Sequence, residues 1–151
     1  MISIHPEWCE KILSGEKTIE IRKTRPKLPT PFKCYIYCTS GNKESLLNGK
    51  AIAEFTCDRI GEFYKPQSAG AYAYYKLSEK SCVSVEQIAK YANGKNVFGW
   101  HISNVKFYDD GPLPLGCFFV ESNQTYNCPP LVRMKYPPQS WCYVEELENE
   151  E

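Results

Sequence analysis

The chain has 151 residues, of which 18 are Lys or Arg and 18 are Asp or Glu, so its formal net charge is zero. A neutral chain does not hold nucleic acid by bulk electrostatics, because non-specific affinity comes mainly from cations that displace counterions from phosphates. With 42% hydrophobic, 14% aromatic and 24% charged residues, it is globular rather than disordered in composition and long enough for one domain with a real core.

Met1 to Ile4 is alternating and β-branched and predicts a short strand. Pro6 suits the first position of a helix and leaves His5 outside it. Trp8, Cys9, Ile12 and Leu13 then recur at helical spacing, and Gly15 supplies the left-handed residue that commonly ends a helix. In Thr18 to Lys23, Ile19 and Ile21 alternate with Thr18, Glu20 and Arg22, which predicts a strand with one apolar and one charged face. Pro26, Pro29 and Pro31 mark a loop into a strand at Cys34 to Thr39, and a polar stretch leads to another at Ala51 to Ile60. The Tyr-rich residues 72–75 fit neither period. Ser84 and Gln87 form a capping-box pattern, so a second helix runs to about Ala92 and ends at Asn93-Gly94.

Val97 to Tyr108 has strand composition and spans two sheet positions around Gly99 or a bend. From Asp109 to Pro130 the chain is loop-rich, with a short strand at Cys117 to Val120, and a last strand is expected at Trp141 to Val144. Six or seven short strands with two helices predict an α+β fold, a small mixed or antiparallel, partly closed β-barrel flanked by helices. The expected organisation is one domain over 1–144 and an acidic tail over 145–151.

No stretch approaches the roughly 20 apolar residues of a membrane span. MISIHPEWCEK has no basic head followed by an apolar run, so a soluble cytoplasmic protein with no membrane partner is expected. In that reducing setting the eight cysteines read as packing thiols. Only Cys34 and Cys38 lie close in sequence, and four strand residues separate them by roughly 13 Å, too far to share a zinc. No metal or cofactor is expected, and the sequon at Asn123 to Thr125 carries little meaning there.

The densest chemistry lies in Gly15 to Arg22, GEKTIEIR, where Lys17 sits at the helix-strand corner. Glu20 and Arg22 leave the same strand face, roughly 6 to 7 Å apart along the backbone. On strand physics alone this reads as a solvated face with a surface ion pair worth little. The segment, however, is similar at every specified position to the GxKxxExR signature of the ASCH domain, a branch of the PUA-like superfamily. The order of strand, helix and signature also resembles that family. Tyr35-Ile36-Tyr37-Cys38-Thr39, Gly99-Trp100-His101-Ile102 and Pro138-Gln139-Ser140-Trp141 look like segments of bacterial and phage ASCH proteins of this size.

The resemblance implies a small β-barrel with flanking helices and a cleft lined by the signature. In the family that cleft is regarded as a site for RNA or a nucleotide-like ligand, such as a modified nucleoside. The residue chemistry is compatible. Arg22 can hold a phosphate or base edge as a planar fork, Lys17 can supply a point charge, and Glu20 can orient Arg22 or accept from an exocyclic amine. Tyr37, Trp100, His101 and Trp141 are candidate stacking residues, with core packing as the plain alternative for the tryptophans. His5, at the open end of the first strand, and Gln139 and Ser140, before Trp141, are candidate polar contacts or simply cap and turn residues.

A catalytic reading stands beside this one. Some small bacterial members of the superfamily are amidohydrolases of N4-acylated cytidine that use the signature lysine, a threonine three residues later and a distant glutamate. Carried over, this implies Lys17, Glu20 in place of the threonine, and Glu79 as the nearest distant glutamate. Ribonuclease activity has also been associated with some ASCH proteins. Here the hydroxyl is lost, and an ammonium paired with a carboxylate is a poor general base, so ligand binding is favoured over hydrolysis. A protein-interaction adaptor using the aromatic surface and acidic tail is the third reading.

Neutrality is also an average. Residues 1–50 carry nine basic against five acidic residues, residues 51–110 seven against seven, and residues 111–151 two against six. A local basic site is therefore compatible with zero net charge, and the acidic tail is expected to screen it from non-specific polyanions.

Overall fold

The computed structural model describes residues 1–41, 46–64, 71–108, 110–122 and 130–147. The sequon and residues 148–151 of the acidic tail lie outside them. In chain order the elements are β1 (Ile2–Ile4), α1 (Pro6–Leu13), β2 (Ile19–Arg22), β3 (Phe32–Cys38), β4 (Lys50–Cys57) and β5 (Ile60–Phe63). They continue with α2 (Ala71–Ser81), α3 (Val85–Ala92), β6 (Val97–His101), β7 (Ser103–Phe107), a 3-10 turn at Leu115–Cys117, β8 (Phe119–Glu121) and β9 (Leu131–Arg133). The chain divides into two compact units, each made of separate stretches: Met1–Pro6, Lys33–Glu54 and Lys106–Glu151 in the first, Glu7–Phe32 and Phe55–Val105 in the second.

The α+β class holds. Among the described residues the strands lie in three sheets, of order β1-β3-β4-β7, β2-β6-β5 and β8-β9, and none of them closes on itself as a barrel. A closed barrel needs a ladder between first and last strands, and each described sheet ends in two edges instead.

The core of the first unit gathers Met1, Tyr35, Tyr37, Ala51, Phe118 and Met134. β1 pairs in parallel with β3, Ile2 opposite Ile36 and Ile4 opposite Cys38, and every residue of β1 is buried. Ser3, the polar residue of the alternation, is buried too, its hydroxyl donating to the Pro138 carbonyl at 2.6 Å. The strand expected at Trp141 to Val144 is instead one bridge between Trp141 and Ile2. Cys142 N–H donates to the Met1 carbonyl, and just past the segment Glu145 N–H donates to that of Phe119. Similarly, the 3-10 turn takes Cys117, delaying β8 to Phe119. β9, with no alternation to announce it, pairs against β8. Glu146 binds Lys33 at 2.6 Å and Leu147 N–H donates to the Tyr35 hydroxyl at 2.8 Å, so the start of the acidic tail is docked.

In the second unit β6 is the central strand. Ile21 of β2 faces Gly99, and Glu20 faces Trp100, which is itself opposite Ile60 of β5. Ile21, Tyr74, Leu77, Ile88, Ala92 and Val97 form the core. Gly99 is where helix α2 and both neighbouring strands close in. A Cβ there would lie 2.9 Å from Phe63 Cε2, 3.0 Å from Ile19 Cγ2 and 3.4 Å from Leu77 Cδ1. The bend between β6 and β7 therefore falls at Ile102, whose N–H donates to the Thr18 carbonyl, and not at the glycine.

The expected strand from Ala51 to Ile60 likewise breaks at Asp58-Arg59 into β4 and β5, which join different sheets. α3 forms as its cap predicts: Ser84 and Gln87 exchange both capping-box bonds, and Asn93 ends the helix in the left-handed region. In α2, where the sequence fits neither period, Tyr72 and Tyr75 are exposed while Tyr74 and Leu77 are buried. Successive tyrosines on both faces hide the helical period.

The seven described cysteines are thiols with none joined in a disulfide, and all are buried or half-buried. Among the described residues no helix is long and apolar enough to cross a membrane.

Candidate functional site

α1 ends at Gly15, which has φ of +80°, and the chain folds back so that Lys17 N–H donates to the Lys11 carbonyl at 2.9 Å. Next, Thr18 N–H donates to the Lys80 carbonyl in the last turn of α2 at 2.8 Å. This corner aims the Lys17 side chain inward. Its Nζ donates to the Ser81 carbonyl at 2.6 Å, lies 3.2 Å from Glu20 Oε2, and sits 5.3 Å from the centroid of the Trp8 ring. An ammonium suits the C-terminal end of α2, where unsatisfied carbonyls carry partial negative charge. The other carboxylate oxygen, Glu20 Oε1, pairs with Arg22 Nη2 at 3.0 Å.

The result is a chain of three charges with Glu20 shared between two cations. It is nearly enclosed: the side chains of Lys17, Glu20 and Arg22 are 1%, 10% and 11% exposed. This corrects the expectation of a solvated strand face. Period-2 alternation separates the faces of β2 but does not say whether the charged one is covered, and here Glu20 and Arg22 stand opposite Trp100 and Phe98. Among these three side chains the charges sum to plus one, and holding them out of water is costly unless every partner is in place.

At the Arg22 end lies Tyr91 of α3, 39% exposed, with Lys23 Nζ 4.7 Å above its ring. Burial raises the Tyr91 phenol above its ordinary value, and the Arg22 guanidinium works against that rise. Tyr91, Trp8 and the Ser81 carbonyl are the participants that residue patterns missed. In α3 the adjacent Ala92 takes the core and leaves Tyr91 half-exposed.

The remaining candidates are placed as follows. Trp100 is buried, its Nε1 donating to the Thr24 carbonyl at 3.3 Å and its ring meeting Phe32 edge-on at 5.8 Å. His101 pairs with Ile19 in the register and so leaves the sheet on the face opposite Glu20. Its Nδ1 is 2.5 Å from Asp58 Oδ1. Burial works to raise the Asp58 carboxyl, but the hydrogen bond and charge of His101 prevail and hold it below its ordinary value. Glu79 is exposed on α2 in an ion pair with Lys76 at 3.0 Å. Lys17, its side chain 1% exposed, is committed to Ser81 and Glu20 beneath Trp8.

In the first unit, exposed His5 lies with Nδ1 3.2 Å from the Thr39 hydroxyl, and Tyr37 is buried in the core. Gln139 is exposed, the Ser140 carbonyl accepts from Ser3 N–H, and Trp141 packs edge-on against Tyr143 at 5.4 Å. This unit also holds an open groove of about 750 Å³ whose lining includes Leu131, Val132, Arg133, Tyr136, Tyr143 and Glu145. Arg133 is fixed there, Nη1 donating to the Gly116 carbonyl at 2.7 Å with the guanidinium 5.1 Å over Phe119. Among the described residues no three His, Cys, Asp or Glu side chains are grouped to hold a metal.

The model of the ASCH domain family matches residues 2–109. No curated protein matches the chain. Among solved structures, the crystal structure of ASCH from Zymomonas mobilis is similar with a TM-score of 0.61 and 18% identity, over 89% of this chain and 85% of that one. A serine-to-alanine mutant of that protein gives 0.58 and 18%, over 89% and 86%. A tyrosine-to-phenylalanine mutant gives 0.57 and 21%, over 76% and 73%. The likeness to these structures is one of fold.

Proposed function

The chain belongs to the ASCH domain family, and from that premise we propose that it binds RNA or a nucleotide-like ligand at the Arg22 end of the Lys17–Glu20–Arg22 chain. The observation that carries this reading is the sharing of one enclosed carboxylate by two cations, one of them the Arg22 guanidinium, beside a half-exposed aromatic ring, so that these three side chains sum to one positive charge. A phosphate or an electron-rich base edge would complement that charge, and Tyr91 offers an edge or face to a base. In this division of labour Lys17 anchors Glu20, Glu20 orients the Arg22 fork, and Arg22 meets the ligand.

The test is a titration of nucleoside monophosphates, acylated cytidine and a single-stranded RNA dodecamer at low salt, followed by Trp fluorescence, to which Trp8 beside Lys17 contributes. Arg22→Ala abolishes the response, and Arg22→Lys, which keeps the charge but not the fork, weakens binding by about tenfold or more. Silence of the wild-type protein toward the whole panel would falsify the reading.

A further inference from the structure

The chain that leaves Arg22 carries a second set of cations. From Arg22 to Lys33 it reads RKTRPKLPTPFK, five basic residues with no acid. Lys23, Arg25 and Lys27 are exposed, and the residues between them are anchors: the Thr24 carbonyl accepts the Trp100 Nε1–H, and Pro26 is buried. Farther along, Phe32 meets the same indole edge-on. One buried tryptophan thus pins the segment near both its ends, and Pro26, Pro29 and Pro31 stiffen what lies between by fixing φ. A stiffened segment loses less entropy when it binds than a free loop does.

We propose that this strap tracks the phosphates of a single-stranded RNA, so that the ligand of the site is a polynucleotide rather than a mononucleotide. The inference rests on the reading of Arg22 above and adds the polymer to it. Lys23 is the joint between the two, because its ammonium lies over Tyr91 beside Arg22. From Arg22 to Lys27 the strap reaches at most about 17 Å, enough for a few phosphates but not for the broad basic face that a duplex needs. The zero net charge of the chain argues in the same direction.

The experiment compares a 12-nucleotide single-stranded RNA with a mononucleotide over a range of salt, for the wild type and for the combined Lys23→Gln, Arg25→Gln, Lys27→Gln variant. These side chains are exposed, and a melting curve verifies that the variant is folded. The variant is expected to flatten the slope of log affinity against log salt for the dodecamer by about 2, three contacts at roughly 0.7 each. The preference for dodecamer over mononucleotide collapses with it. An unchanged slope, with Arg22→Ala still abolishing binding, overturns the strap and leaves the Arg22 site standing. Failure of the wild type to bind either probe removes both. Displacement of the dodecamer by polyglutamate at equal charge concentration would make the strap a general polyanion patch and also overturn the inference.

Discussion

The signature cluster and the C-terminal groove invert each other. In the cluster, three charged side chains are withdrawn from water within the part of the chain that the family model matches. In the groove, built from residues 120–121 and 131–145 beyond that match, apolar and aromatic side chains stay in water, with Tyr136 82% exposed. The difference teaches where each region is sensitive. A buried charge network is stabilising only while complete, so removal of one member leaves the others uncompensated. An exposed tyrosine makes few contacts and loses little when replaced.

The comparison breaks most sharply at Lys17. Lys17→Met keeps the length of the side chain but strips Glu20 of one cation and the Ser81 carbonyl of its donor, and should cost about 3–5 kcal/mol in urea unfolding. A cost below about 1 kcal/mol would show that the cluster is not the tight network its distances describe. Smaller, but still clear, is the effect of overfilling the sheet that carries the cluster. Gly99→Ala forces a methyl against Phe63 and Ile19 and is expected to cost about 1–3 kcal/mol. Measured stability equal to wild type would mean that those side chains yield freely. At the bottom of the scale, Tyr136→Ala should stay within about 0.5 kcal/mol. A loss matching that of Gly99→Ala would end the contrast, since the groove would then be part of the core.

Much of the framework was legible. The left-handed Gly15, the reciprocal Ser84 and Gln87 cap and the apolar run of β3 are local signals, set by backbone sterics and hydrogen bonds within a few residues. Features that depend on a partner strand were not. The break at Asp58-Arg59, the bend at Ile102 and the pairing of β9 follow from which edge accepts each segment. α2 stayed hidden because its buried tyrosine and its exposed ones are the same residue type.

The site divides along the same line. GEKTIEIR by itself determined that a lysine at a helix-strand corner precedes a glutamate and an arginine on one strand face, and identified the family those residues resemble. Only the tertiary structure decided that this face is covered, that Lys17 reaches the end of α2, and that Tyr91 rather than Trp100 stands half-exposed beside Arg22. The reason is physical. Alternation is a property of one strand's own geometry, whereas burial is a property of whatever packs against it, and the residues that cover β2 come from segments tens of positions away.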